Sequence, residues 1–356
     1  MKKLTIVGCG QVGSVLADSL QHRYRLRILE SSQRLAFGQQ PWGWLRRVTL
    51  QQPRRIQLPL EDLSLPSFKG PMLLTTNSPS RAQVWKEWLN ANKENTDAQL
   101  FTGIGQHQDN FGLTDRYQLL CDSRDSLFDF TEHRNQLVSK LYETTEFYKD
   151  AEAKEFHWEN ETLLGLTSTK GDFFSTKDHK VLVCLGNNTR KFLKIPTLGM
   201  RLAFSTFPAM EAPYRAVWRD ETSIQHFPTY TKVGCGFRAS VAYLPPYRYL
   251  PFFLPLLKKS HYSMFTKPSV QLQDATEAWS LSTNDVSSCI VDITPSFLPI
   301  IHSIGNVTFI YGMSGSGFTI YEPWFQRIVF GVMEGNAIVN PFDKYTSLFP
   351  TKSFLY

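Results

Sequence analysis

Leu4-Thr5-Ile6-Val7-Gly8-Cys9-Gly10-Gln11-Val12-Gly13, continued by Arg25-Leu26-Arg27-Ile28-Leu29-Glu30, is the stretch that decides the fold. Residues 4–7 form a short apolar run that stops at Gly8. Val12, Val15, Leu16 and Leu20 then recur on one helical face, with Ala17 where a close helix–strand contact falls. Residues 25–29 read as a second strand ending at Glu30, 17 residues after Gly13. Strand, G-x-G-x-x-G turn, helix, strand and acid together make a dinucleotide fingerprint. Gly8 makes the tight turn, Gly10 lets the backbone approach a pyrophosphate, and Gly13 lets helix and strand pack closely. The helix N-terminus offers free N–H groups and a positive dipole end to phosphates. Glu30 accepts hydrogen bonds from ribose hydroxyls and repels a 2′-phosphate, which disfavours NADP. The motif does not choose between NAD and FAD, and a purely structural βαβ unit is its bland alternative.

Composition narrows the class. The chain has 356 residues, 42% of them hydrophobic and 20% charged, which suits about two folded domains and not a disordered chain. The longest apolar run, residues 249–257, is interrupted by Pro251 and Pro255 and falls short of the ~20 residues a membrane span needs. Gly8, Gly10, Gln11 and Gly13 break up any signal-peptide core. Five scattered cysteines (9, 121, 184, 235, 289) without a C-x-x-C pair argue against a disulfide framework and a zinc site, and point to a reducing cytoplasm. The formal charge is +6, and Arg46-Arg47, Arg54-Arg55 and Lys258-Lys259 read as solvated surface or single anion contacts, not a nucleic-acid face.

The middle of the chain is mixed and without repeats. Residues 85–89 and 135–141 read as helices, residues 180–185 as a buried strand stopping at Gly186, and residues 201–242 as β-rich. Pro245-Pro246, Pro251 and Pro255 interrupt an apolar stretch that runs to Lys258-Lys259. It reads as a helix packed in the core in preference to a lid or a membrane-touching surface. No linker marks a boundary, so a second domain inserted into the nucleotide-binding one fits better than two beads on a string.

Near the C-terminus, Cys289-Ile290-Val291-Asp292-Ile293-Thr294-Pro295 precedes a strand opening at Asn306-Val307 and the turn Gly312-Met313-Ser314-Gly315-Ser316-Gly317-Phe318-Thr319. A Gly-Ser-Gly-Ser-Gly turn lets backbone N–H groups approach an electron-rich ring edge and stabilise negative charge on it. It is not a serine-hydrolase elbow, because Ser316 stands where G-x-S-x-G requires glycine. With the N-terminal unit, these motifs resemble the D-amino-acid oxidase superfamily of FAD enzymes, most of all its monomeric sarcosine oxidase and pipecolate oxidase branch. Residues 180–186 resemble that family's strand ending in G-A-W, and Asn340-Pro341-Phe342 its usual tail. The likeness is specific at residues 4–30 and 289–319 and loose between 60 and 230.

The resemblance assigns roles. Gly8, Gly10, Gly13, Glu30, Arg46 and Gly186 would hold FAD, and Gly312, Ser314, Gly315, Ser316, Gly317, Phe318 and Thr319 would enclose the flavin. Cys289 stands five residues before Thr294, where the sarcosine oxidase branch carries FAD through an 8α thioether. Most free cysteines are simply small buried residues. Family oxidases place a lysine near the flavin that promotes reaction with oxygen. The matching stretch here offers Arg238, which keeps the charge but not lysine's proton exchange. The family's two carboxylate ligands become Thr319 and, after the match of residues 43–46 to G-x-x-R, Thr49. Arg238 and Arg46 are thus the candidate catalytic residues. Trp42, Trp44, Tyr230 and Tyr321 are candidates for an amine cage, each more readily explained as packing. No His/Asp/Glu cluster has metal-ligand spacing.

The expected architecture is α/β: a Rossmann-like FAD-binding domain from residues 1–75, 130–195 and 280–356, with an interleaved β-rich substrate domain from 76–129 and 196–279. The resemblance implies oxidation of a C–N bond in an amine or amino-acid-derived small molecule, with hydride passing to the flavin, an imine product, and molecular oxygen or another acceptor taking the electrons. Alternatives are a larger, carrier-tethered or nucleoside amine, a flavin-binding partner protein without turnover, and an NAD-dependent dehydrogenase.

Overall fold

Alternating burial along the first strand sets the layers. In β1 (Lys2–Val7), Leu4 and Ile6 are buried toward one face and Thr5 and Val7 toward the other, as in a parallel strand covered on both sides. The computed structural model describes residues 1–32, 67–91, 98–103, 115–121, 126–128, 130–219, 222–239, 244–260, 287–295, 299–313 and 320–336.

After β1 come α1 (Gln11–Leu20) and β2 (Tyr24–Leu29). There follow β3 (Ser67–Lys69), β4 (Met72–Thr76), α2 (Pro79–Ala91), β5 (Gln99–Thr102), β6 (Tyr117–Cys121) and β7 (Ser126–Phe128). Helix α3 (Phe130–Thr144) leads to β8 (Glu146–Tyr148), β9 (Ala153–Glu159), β10 (Thr162–Ser168), β11 (Phe173–Ser175) and β12 (His179–Val183). A 3-10 turn (Gly186–Lys191) crosses to β13 (Leu198–Pro208), β14 (Ala216–Arg219), β15 (Thr222–His226) and β16 (Tyr230–Ala239). A second 3-10 turn (Tyr247–Tyr249) opens α4 (Leu250–Ser260), and β17 (Ser287–Ile293), β18 (Ile300–Ile304), β19 (Val307–Tyr311) and α5 (Pro323–Glu334) complete the order.

One sheet has the order β18-β19-β12-β1-β2-β8, parallel throughout except for the β18/β19 hairpin. Helices α1, α3 and α5 cover one face, where Leu16, Val138 and Phe325 pack on Ile6, Ile28 and Leu182. The antiparallel sheet β11-β10-β9 covers the other face, setting Leu163 and Leu166 on Val181, Val183 and Phe309. Proline at the start of α5 and left-handed Gly335 (φ 71°) after its end fix that helix's limits. Its last turn is tied back to the sheet through Lys2 and Tyr24, which both donate to Glu334, and through Lys180, which donates to the Met333 carbonyl.

The second large sheet runs β17-β13-β16-β15-β14-β4-β6-β5, antiparallel but for the β14/β4 pair. The chain thus has the expected α/β class, a Rossmann-like parallel unit beside a β-rich one. Expected helix 85–89 lies in the C-terminal half of α2, and expected helix 135–141 is the central part of α3. Helix α4 corrects one expectation. Phe253 and Tyr249 pack on Leu198, Met200 and Ile293, while Phe252 and Leu254 remain about half exposed. An eleven-residue helix lying on a sheet buries one face, and this sequence is apolar on both.

Asn306, in the β18/β19 hairpin, joins two layers. Its Oδ1 accepts from the Leu163 N–H at 2.8 Å, and its Nδ2 donates to the Leu163 and His179 carbonyls, both at 3.1 Å. Replacing Asn306 by alanine removes these three bonds, leaving the Leu163 carbonyl its bond from the Thr176 hydroxyl, and urea denaturation should show a loss of roughly 1–3 kcal/mol.

Candidate active site

Four adjacent parallel strands end on one edge of the nucleotide sheet. In sheet order β19, β12, β1 and β2, they are followed by Gly312, Gly186, Gly8 and Glu30. The edge spans three inter-strand spacings, about 14 Å, which suits an elongated ligand. Ligands of such sheets bind outside the carboxyl ends of the strands.

The glycines of the first loop differ in what they make possible. Gly8 takes φ 93°, a left-handed value, and a Cβ there would stand 2.7 Å from the Cys184 carbonyl oxygen. At Gly13 a Cβ would fall 1.9 Å from the Gly8 carbonyl oxygen, so α1 and the loop touch only because that atom is missing. Around Gly10 a Cβ would meet nothing within 4 Å. Gly10 is also the N-cap of α1, with no side chain to cap it and no acid in the first turn. An open approach to an uncapped helix N-terminus fits a pyrophosphate.

Glu30 is held against this loop. Its Oε2 accepts from the Cys9 N–H at 2.7 Å, and its Oε1 from the Ser32 N–H at 3.0 Å and the Ser31 hydroxyl at 3.1 Å. A carboxylate has about four acceptor positions, so one remains for a ribose hydroxyl. Arg134 of α3, which sequence reading missed, is buried (4% exposed) with its charge acting on Glu30, Cys9 and Tyr321. Burial lowers its pKa, and the negative charge of Glu30 opposes that shift. The signal was available: Arg134, Val138 and Leu141 share a helical face, but Arg134 lies one residue before the stretch read as helix.

At the far end of the edge, Gly312 (φ 65°) is pressed between segments. A Cβ there would stand 2.4 Å from Thr294 Cγ2 and 3.3 Å from Thr197 Cγ2. The Thr294-Pro295 motif and the strand leading to residues 312–319 are therefore brought together. Arg190, in the turn opened by Gly186 (φ 53°), joins them to the second sheet. Its Nε and Nη2 donate to Asp292 Oδ1 at 3.1 and 2.8 Å, and Nη2 also donates to the Thr197 carbonyl and hydroxyl at 2.8 Å. Burial raises the Asp292 pKa, against the opposing pull of Arg190. Asp292 Oδ2 and the Tyr311 hydroxyl are both buried without a hydrogen-bond partner, and the field of Asp292 reaches Tyr311. Orphaned polar atoms of this kind, next to Gly312, fit a polar ligand or ordered water at this end.

Cys289 lies on β17, opposite Leu202 of β13. By the two-residue alternation of strands it shares a face with Val291 and Ile293, opposite that of Asp292. Burial pushes its thiol up to about 11, and the charge of Lys232 works against that rise. Lys232, on β16, is another residue sequence reading passed over. It is 4% exposed, with its ammonium 4.5 Å from the centre of the Phe204 ring. Arg238 sits on the same strand opposite Arg201 of β13, its side chain outside the described part. Arg46, Ser314, Gly315, Ser316, Gly317, Phe318 and Thr319 lie outside the described residues, as do Trp42, Trp44 and residues 340–342. Tyr321 and Tyr230 do not converge: the first packs on His133 under the helices, the second stacks on Phe227 in the other sheet. Among the described residues, no cluster could hold a metal ion.

No family model and no curated protein sequence matches the chain. Solved structures do. An L-amino acid deaminase from Proteus vulgaris superposes with a TM-score of 0.68 at 14% identity, covering 96% of this chain and 95% of its own. A fructosyl peptide oxidase gives 0.69 at 13% identity, over 96% and 92%. An L-proline dehydrogenase from P. horikoshii gives 0.61 at 16% identity, over 97% and 96%. The chain shares the fold of these enzymes, with the parallel nucleotide unit and the β-rich unit in one polypeptide.

Two glycine variants separate binding from folding. Gly10→Ala should change unfolding free energy by less than about 0.5 kcal/mol yet weaken FAD binding at least about tenfold in a fluorescence titration. Gly13→Ala should destabilise the protein by roughly 3 kcal/mol in urea.

Proposed function

We propose that this protein is an FAD-dependent oxidoreductase that oxidises a C–N bond of an amine or amino-acid-derived small molecule. One observation carries the reading: Gly312, Gly186, Gly8 and Glu30 line the carboxyl ends of four adjacent strands, with the second sheet joined there through Arg190 and Asp292. The solved structures it resembles are named as a deaminase, an oxidase and a dehydrogenase of amino acids or a fructosyl peptide.

The α1 N-terminus and Gly10 would take the pyrophosphate, Glu30 the ribose, and the residues after β19 the ring end. Bound FAD would supply the hydride acceptor. The chain's part is to place the donor carbon, exclude water and balance charge. Substrate departs from a small free amino acid in this reading, because Thr49 and Thr319 stand where carboxylate ligands are expected. A larger or carrier-tethered amine follows from the same two residues. Arg46 and Arg238 are the candidate catalytic cations of this site.

Lys232 extends the account to the electron acceptor. A buried ammonium stabilises negative charge developing on oxygen as it is reduced. Lys232→Met, close to isosteric, should slow reoxidation by oxygen at least about tenfold while leaving the rate of flavin reduction nearly unchanged in stopped-flow.

Cys289 is the candidate for the covalent link. It would supply the sulfur of a thioether to bound FAD, an oxidation in which the thiol and a flavin methyl group would each give up a hydrogen, with molecular oxygen as the final acceptor. Flavin retained in the acid pellet of wild type and released from Cys289→Ser supports the link, and full release from wild type removes it. For the reaction itself, anaerobic mixing with a panel of primary and secondary amines should bleach the flavin band near about 450 nm. A flavin that photoreduces normally yet responds to no amine would assign a binding protein without turnover.

A further inference from the structure

We propose that α4 and the 3-10 turn before it form a docking surface for the anionic phospholipid face of a membrane. Among the described residues, eight large apolar side chains are exposed, and four of them lie within residues 244–254. These are Leu244 (37%), Tyr247 (89%), Phe252 (52%) and Leu254 (45%). Behind them Tyr249 and Phe253 anchor the segment on β13 and β17, so the exposed tips stand on a fixed base. Scattered exposed apolar residues need no explanation; a cluster on one rigid segment does.

Charge says what the cluster meets. Residues 244–260, the segment itself, carry Arg248, Lys258 and Lys259 and no aspartate or glutamate. Arg248 precedes α4, and Lys258 and Lys259 close it. Aromatic and leucine tips flanked by lysine and arginine are the pattern of a helix lying in the headgroup boundary, and each basic residue there gains from anionic lipid. A second copy fits less well, since a two-fold contact would set this acid-free stretch against itself. None of the described helices is long and apolar enough to cross a membrane, so the contact is peripheral.

The test is co-sedimentation of the purified full chain with vesicles of phosphatidylcholine containing about 30% phosphatidylglycerol, and with phosphatidylcholine alone. Binding should favour the anionic vesicles and fall at least about tenfold as salt rises from about 0.05 to about 0.5 M. The double variant Phe252→Ser/Leu254→Ser should lose about tenfold or more with its melting temperature nearly unchanged, and Tyr247→Ser should lose binding in the same direction. Lys258→Glu/Lys259→Glu should remove the preference for anionic lipid. Failure of wild type to sediment with either vesicle overturns the proposal, as does a folded double variant that binds like wild type. So does a concentration-dependent dimer that the double variant abolishes without any vesicle binding, which would assign the face to a second copy.

Discussion

The contact of Gly13 with the Gly8 carbonyl is the constraint from which the nucleotide unit is built. A Cβ at residue 13 would lie 1.9 Å from that oxygen. Its absence lets α1 descend onto the loop, which in turn directs the helix N-terminus at the carboxyl edge of the sheet. Because the parallel neighbours β1, β2 and β12 are in register, with Val7 beside both Leu29 and Val183, the loops after them emerge at one level. Helix dipole, open backbone at Gly10 and the Glu30 carboxylate then face the same region. A stable helix-on-sheet layer and an anion site follow from one missing methyl group.

The second sheet reaches this edge through a charged contact. Asp292 is buried and Arg190 nearly so, and such a pair adds little net stability because both ions lose their water. What it does provide is position. Arg190 leaves the turn after β12, Asp292 belongs to β17, and Thr197 begins the approach to β13, so three segments meet at one guanidinium. Its planar fork satisfies several acceptors at once, which a lysine there would not do. Beside it, Gly312 can be no other residue without displacing Thr294.

Legibility in the sequence followed the range of the interactions. The strand–turn–helix–strand unit was readable because its parts are local, and the three glycines carry distinct backbone demands that no other residue meets. The strand opening at Asn306 and the one before Gly186 were readable for the same reason. Strand order in the eight-stranded sheet was not, since β4 pairs with β14 across more than a hundred residues. Arg134 escaped because a charged residue on an apolar helical face looks like the end of the helix. Lys232 escaped because alternation in β16 marks it as one more polar position, while its burial depends on Phe204 of a different strand. For α4 the pattern was ambiguous in a physical sense: proline-broken and apolar on all sides, it reads as core, and only packing shows which half has a partner.

The account stands on one ligand, and its most direct test is the visible spectrum of the purified chain, followed by reconstitution with FAD and with NAD. The prediction is a yellow protein with a band at about 450 nm, taking up about one FAD per chain even with NAD in excess. A colourless protein that refuses FAD yet binds NAD would contradict the assignment and leave only the dinucleotide fold.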